Sequence, residues 1–373
     1  MVRCVRAPGK FKSQRRAGAE CQEGWSERSS GARRESFPMA RPTSHRATQP
    51  ERTNLYREIT DRIIAQLEAG CVPWVQPWDS GPGAVAVAMP RNAVTARAYS
   101  GINVMLLWAA GVAAGYRDQR WLTFRQALSL GGCVRKGEHG TGIVYADRFT
   151  PADERRRADR DGGAVRQVAF LKRFTVFNVA QVDGLPANLT DPLPPPREDL
   201  VMPRFRMLME ASGVTIRIGG SMAFYRPSDD VVVLPPPEAF HEPINFHRTA
   251  AHELSHATGH RSRIDRLMKG PRGGPCYARE ELVAEISAAY VCASLGIVPT
   301  VRHADYIAAW LQVLREDERA IVRAASHASK AADRLLSRLA LAEESSETVG
   351  NDGERTPIPV TARETQHLQD RAA

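Results

Sequence analysis

Apolar positions first recur at helical spacing at Leu55, Ile59, Ile63, Ile64 and Leu67, with Thr53 or Asn54 placed to cap the N-terminus and Gly70 to stop the helix. The segment Val72-Pro73-Trp74-Val75-Gln76-Pro77-Trp78 follows, where two prolines forbid helix and hold both tryptophans in extended chain. The pattern predicts further helices over residues 104–114 and 123–130, the second closed by Gly131-Gly132, and β-rich runs over residues 142–146 and 168–182. Between those runs the charged stretch from Pro151 to Arg166 shows no apolar period and reads as a long, mobile hairpin loop. Beyond the proline-rich stretch at residues 187–199 the pattern predicts a helix over 203–212, strands over 215–218, 223–226 and 231–234, and then helices to about residue 342.

The expected architecture is therefore α+β in two domains. An α+β domain over residues 51–186 is joined by the linker at 187–199 to a mainly helical domain with a small sheet over 200–342. Residues 1–50 and 343–373 lack hydrophobic periodicity and are expected to be disordered tails; Met39 is a second candidate start. The net charge of +9 suggests nucleic acid, but residues 1–50 alone hold 11 Lys/Arg against 4 Asp/Glu, so the folded part is nearly neutral. No run of apolar residues is long enough for a membrane span and the N-terminus has no signal-type core, so a cytoplasmic protein with no membrane partner is expected. Six scattered cysteines without a CxxC pair fit reduced thiols.

One constellation carries chemistry. His252-Glu253-Leu254-Ser255-His256 is an HExxH sequence within a predicted helix over 246–258, which Gly259 ends. Spacing of four puts both imidazoles on one helix face, where they can share a Zn²⁺ or another divalent ion, with Glu253 beside them as general base. A third ligand is needed. The pattern HExxHxxGxxH requires histidine where Ser262 stands, so His260 sits two residues early. The following helix, over 277–295, offers Glu280, Glu281 and Glu285. Glu281 and Glu285 share a face, while Glu280 points about 100° away. Glu281 is the expected ligand and Glu285 the acid that orients a histidine; the reverse assignment is the alternative, and solvated helix acids are the plain one.

The first domain interleaves aromatics with cations and amides: Trp74, Trp78, Arg91, Asn92, Tyr99, Asn103, Trp121, Arg125, Arg135 and Lys136. Such a set suits single-stranded nucleic acid, with bases on rings and cations on phosphates. Residue by residue, a core role for the tryptophans and a solvated turn at Arg135-Lys136 explain the same positions.

Taken together, the strings PRNAVTARAYSGIN (90–103), WLTFRQALSLGGCVRKGEHGT (121–141) and FNVAQVDGLP (177–186) resemble the N-terminal domain of ArdC-type antirestriction proteins, which is similar to part of the plasmid TraC primases. HELSHATGH (252–260), EELVAEISAAYVCASLGI (280–297) and ADYIAAWLQVLRED (304–317) resemble the zincin-like metallopeptidase domain of those proteins. The resemblance runs from about Asn54 to about Leu341. It implies a single-stranded-DNA-binding domain joined to a metallopeptidase fold, carried on mobile elements and protecting incoming DNA from restriction. Two other readings stand beside it: a zinc metalloprotease that cleaves a host restriction or regulatory protein, and a zinc site that is only structural.

Overall fold

The computed structural model describes residues 54–75, 88–162, 165, 167–191, 198–266, 274–300 and 306–352. The basic segment 1–50, Trp78 and the end of the chain from residue 353 lie outside the described residues.

The first helix, α1 (Leu55–Glu68), is capped by Asn54, whose side chain accepts a hydrogen bond from the Tyr56 backbone N–H. It buries Ile59, Ile63 and Leu67 on one face, as the period requires. A short strand β1 (Arg91–Asn92) leads to α2 (Ile102–Ala114), an apolar helix closed by Gly115 in the left-handed conformation. Then follow β2 (Arg120–Leu122), α3 (Phe124–Ser129), β3 (Cys133–Val134), β4 (Thr141–Phe149), α4 (Ala152–Asp161), β5 (Val168–Asn178), β6 (Val182–Asp183) and α5 (Ala187–Thr190). Thr123 and Gln126 form a reciprocal capping box at the start of α3. After α3 the chain turns through Gly131 at φ +81°, where a side chain would be strained, and at Gly132 a Cβ would lie 2.9 Å from both Leu185 and Val182, so a side chain there would force neighbours to move. The main sheet has the order β1-β2-β5-β4, and β4 with β5 forms an antiparallel ribbon from the pair Thr141 and Val176 to the pair Phe149 and Val168.

The second half comprises α6 (Glu198–Ala211), β7 (Thr215–Ile218), β8 (Phe224–Arg226), β9 (Val231–Leu234), α7 (Pro243–Ala257), α8 (Pro275–Ser294), α9 (Ile307–Glu316) and α10 (Ala320–Asp352). Its sheet has the order β7-β9-β8, with β7 parallel and β8 antiparallel to the central strand. The fold is α+β, as expected.

Three expectations change. The stretch after Pro151 is not a loop: α4 occupies it, with no buried residue, and is held by ion pairs of Arg156 with Asp153 (3.3 Å) and Arg157 with Glu154 (3.2 Å). Helix α6 begins at Glu198, inside the stretch read as linker. Helix α10 continues to Asp352, past the point where disorder was expected.

One hydrophobic core takes side chains from both halves, from Ile59 in α1 and Trp108 in α2 to Tyr290 in α8 and Leu339 in α10. Trp74 meets Trp310 edge to face at 5.4 Å, and Trp108 meets Tyr290 at 5.7 Å. The Gly101 peptide, at the start of α2, is bound on both sides. Its carbonyl accepts from the Tyr290 hydroxyl (2.8 Å), and its N–H donates to Ser329 Oγ (2.7 Å).

Candidate metal centre

Helix α7 starts with Pro243 in its first turn, and from Phe246 to Ala257 nearly every residue is buried. Small residues make this closeness to α8 feasible: Ala250, Ala251 and Ala257 are fully buried, and Ser255 Oγ donates to the Ala251 carbonyl (2.7 Å) and meets Ser287 Oγ across the helix pair at 3.0 Å. The two helices are thereby fixed in both spacing and register.

On the facing surfaces, His252 Nε2 and His256 Nε2 lie 3.1 Å apart. From α8, Glu281 Oε2 lies 3.4 Å from His252 Nε2 and Oε1 lies 3.5 Å from His256 Nε2. All three residues are buried, and their donor atoms fall within 4.8 Å of one another. Bonds of about 2.05 Å at a tetrahedral angle place ligand atoms about 3.3 Å apart, so this triangle has the size of one face of a zinc-type coordination sphere. Two neutral imidazoles and one carboxylate are the donor set that such ions take, and three protein donors leave a fourth position for a substrate or water.

A buried network supports the triangle. Glu280 Oε1 lies 3.1 Å from His256 Nδ1, and Arg266 holds the same carboxylate in a fork, from Nη2 to Oε1 (2.6 Å) and from Nε to Oε2 (2.8 Å). Arg266 also donates to the Ser255 carbonyl (3.0 Å) and to Thr258 Oγ1 (3.1 Å), which anchors it to the end of α7. With Nδ1–H directed at Glu280, the Nε2 lone pair of His256 faces the triangle. Glu285 Oε1 stands 3.9 Å from His252 Nδ1, an ion-pair separation longer than a hydrogen bond.

The electrostatics favour a cation in this place. Burial opposes charge on His256, yet Glu280 and Glu281 hold its imidazolium up to about 10. Burial likewise opposes the Glu281 carboxylate, but hydrogen bonds from His252 and His256 hold its carboxyl well below the ordinary range. A proton and a metal ion therefore compete for the same nitrogen lone pairs. Glu253, one residue beyond His252, is only 6% exposed.

The structure brings His252, His256 and Glu281 together and leaves His260 outside them, with Nδ1 2.8 Å from Ser262 Oγ and 3.7 Å from Asp230 Oδ2. Glu280 was not assigned a role from spacing. Its position away from the ligand face is as expected, but that direction is what lets it reach the far nitrogen of His256. An i,i+1 acid beside a ligand and an arginine in the preceding turn were the available signal.

The residues expected at a nucleic-acid surface fare differently. Trp74 and Trp121 are fully buried, packed against Trp310 and Tyr116 respectively, so neither can stack on a base; burial made them core. Asn103 clamps β4 instead of facing solvent, donating to the Val144 carbonyl (2.7 Å) and accepting from its N–H (2.8 Å). Asn92 bonds Gln126 and its own turn, while Arg91 and Tyr99 are half-buried. Arg125 and Lys136 are exposed, and exposed Arg135 pairs with Glu138 at 2.8 Å. Among the described residues the exposed aromatics are Tyr145 (60% exposed), Phe124 (49%) and Phe174 (42%); Tyr145 and Phe174 are in edge contact at 6.4 Å on the ribbon of β4 and β5, with Lys172 Nζ 5.2 Å from the Phe174 ring.

Residues 53–177 match the family described as the N-terminal domain of anti-restriction factor ArdC, and residues 203–327 match a zincin-like metallopeptidase family. A crystal structure of the antirestriction protein ArdC from plasmid R388, metal-free, is 39% identical, with a TM-score of 0.64, and the similarity covers 77% of this chain and 98% of that one. The chain belongs to the ArdC antirestriction family. A Mn(II)-bound structure of the R388 ArdC is 38% identical, with a TM-score of 0.63 and the same coverage. The ArdC-family similarity extends to the protein y4eC of Sinorhizobium fredii, 39% identical over 286 residues, 75% of this chain and 91% of that protein. It reaches a DNA primase TraC of Escherichia coli, 39% identical over 297 residues, 75% of this chain but only 27% of TraC. No helix among the described residues is long and apolar enough to cross a membrane.

Proposed function

We propose that this ArdC-family protein binds single-stranded DNA on the ribbon of β4 and β5 and carries a divalent ion, zinc in the first instance, between α7 and α8. The observation that carries the first part is the exposed pair Tyr145 and Phe174 with Lys172 beside it, since a ring face and a cation are what an unpaired base and its phosphate require. Each base stacked on an aromatic contributes about 1–3 kcal/mol, so Tyr145→Ala with Phe174→Ala should weaken a short oligothymidylate by at least tenfold in fluorescence anisotropy. Equal affinity of the wild type for duplex, or an unchanged double variant, contradicts the reading.

A second activity is supported by the donor triangle and the adjacent Glu253. A divalent ion bound there supplies Lewis-acid polarisation of a carbonyl and acidifies water. Glu253 then serves as the base: it takes a proton from the attacking water while the oxygen bonds to the peptide carbonyl carbon, and passes the proton to the departing amine nitrogen as the C–N bond breaks. His252, His256 and Glu281 hold position throughout, with Glu280 fixing the His256 tautomer. The substrate of this reading is a peptide or protein. Glu253→Gln should keep the metal and the fold and lose the antirestriction effect if cleavage underlies it; full protection in that variant leaves the ion a structural role.

A further inference from the structure

Helix α10 carries Lys330, Arg334 and Arg338 at spacings of four, on one face, with successive cations about 6 Å apart along the axis. With Asp333, Leu341 and, from the turn after α7, Ile264, they line an open cleft of about 430 Å³. None of the three cations makes an ion pair with a described residue, whereas Arg323, on the same helix, pairs with Asp317. Arg334 Nε is buried without a hydrogen-bond partner among the described residues. Burial, then the charges of Arg338 and Arg263, pull the Arg334 guanidinium down from its usual value. The one carboxylate in the lining, Asp333, leaves the three cations with an excess of two positive charges. Like charges crowded in this way destabilise the fold until an anion joins them.

We propose that this cleft takes a phosphate-bearing nucleotide unit, at a site separate from the β4 and β5 ribbon. Guanidinium forks and an ammonium match phosphate oxygens, and a phosphodiester chain brings one charge per unit where a carboxylate side chain would leave the other cations unneutralised. Leu341, 56% exposed, and Ile264 give the cleft an apolar floor for the flat face of a base. As part of a bound strand the unit rests on the single-strand reading above; as a free nucleotide it does not.

The test compares the full chain with K330Q/R334Q/R338Q and with the charge-retaining R334K/R338K. Oligothymidylate affinity is measured against salt, and a 4-thiothymidine oligonucleotide is photo-cross-linked and mapped by mass spectrometry. Each phosphate contact adds about 0.7 to the salt slope for a single strand, so the triple variant should lose about 2 from it, while R334K/R338K keeps it. Wild-type cross-links should include residues 330–341. Strand binding with an unchanged slope and cross-links confined to the ribbon overturns the proposal and leaves the ribbon reading intact. If the wild type binds no strand, the ribbon reading fails, and calorimetry with thymidine 5′-monophosphate decides the cleft: heat abolished in the triple variant supports it, and no heat overturns it. If circular dichroism shows the triple variant unfolded, K330Q alone carries the test, with an expected slope change of about 0.7.

Discussion

Removing the Glu280 carboxylate separates two roles that the structure assigns to it. The Arg266 guanidinium, its side chain 5% exposed, has Glu280 as its fork partner, so Glu280→Ala leaves a buried charge uncompensated. Such a loss costs about 3–5 kcal/mol, which at about 2–4 °C per kcal/mol lowers the melting temperature of the metal-free protein by roughly 6–20 °C. The same change frees His256 Nδ1 from the partner that fixes its tautomer, and loss of an outer hydrogen bond of this kind weakens metal binding by about 10–100-fold, or about 1.4–2.7 kcal/mol. The two effects are separable in E280L/R266M, where both charges are removed. Replacing a buried pair by apolar residues of similar volume is close to neutral, so the melting temperature should return while the metal affinity stays low. Chelator competition gives the affinity and calorimetric melts give the stability. Metal affinity that recovers together with the melting temperature would show that Glu280 serves the fold alone and would refute the positioning argument.

His256→Ala and Glu281→Ala should each purify with far less than one equivalent of divalent metal, read by atomic absorption, while Glu285→Ala loses less because its contact to His252 is the long one at 3.9 Å. Trp74→Ala should cost about 3–5 kcal/mol in urea melts by opening a cavity against Trp310, with strand affinity per folded molecule unchanged. Hydrogen bonds from Arg263 hold the Asp230 carboxyl below its usual value, with burial opposing. A folded pKa below the unfolded one means that this contact stabilises fully above about pH 4 and is lost as the pH falls through the folded value. Urea midpoints of wild type and Asp230→Asn should therefore converge as the pH is lowered from 6 towards 2, and a constant gap would count against the pair.

What could be read from the chain follows from which forces leave a period. Helix α1 buries one face at helical spacing, while α7, α8 and β9 are buried at nearly every position within apolar runs bounded by Gly and Pro, and these patterns showed them. The pairing of His252 and His256 was legible because one helix fixes it; phase on the next helix pointed to Glu281 and Glu285 alike, and packing is what sets Glu281 beside both imidazoles. Helix α4 left no such trace, being held by exposed ion pairs without an apolar face. Glu280 and Arg266 meet only because the turn after α7 folds back over α8, a tertiary fact with no local signature. The tryptophans show the converse: an aromatic beside proline or arginine has the composition of a stacking platform, and only packing reveals that Trp74 and Trp121 are interior while Tyr145 and Phe174 face water.

The Gly101 peptide, held by Tyr290 from one helix and Ser329 from another, makes the two halves one target for a protease. Cleavage within the core requires the chain to open first, and opening α2 uncovers the same apolar surface that α8 and α10 rest on. The ion proposed between α7 and α8 should therefore slow digestion of the β4 and β5 ribbon as well, and chelation should speed nicking of both halves together.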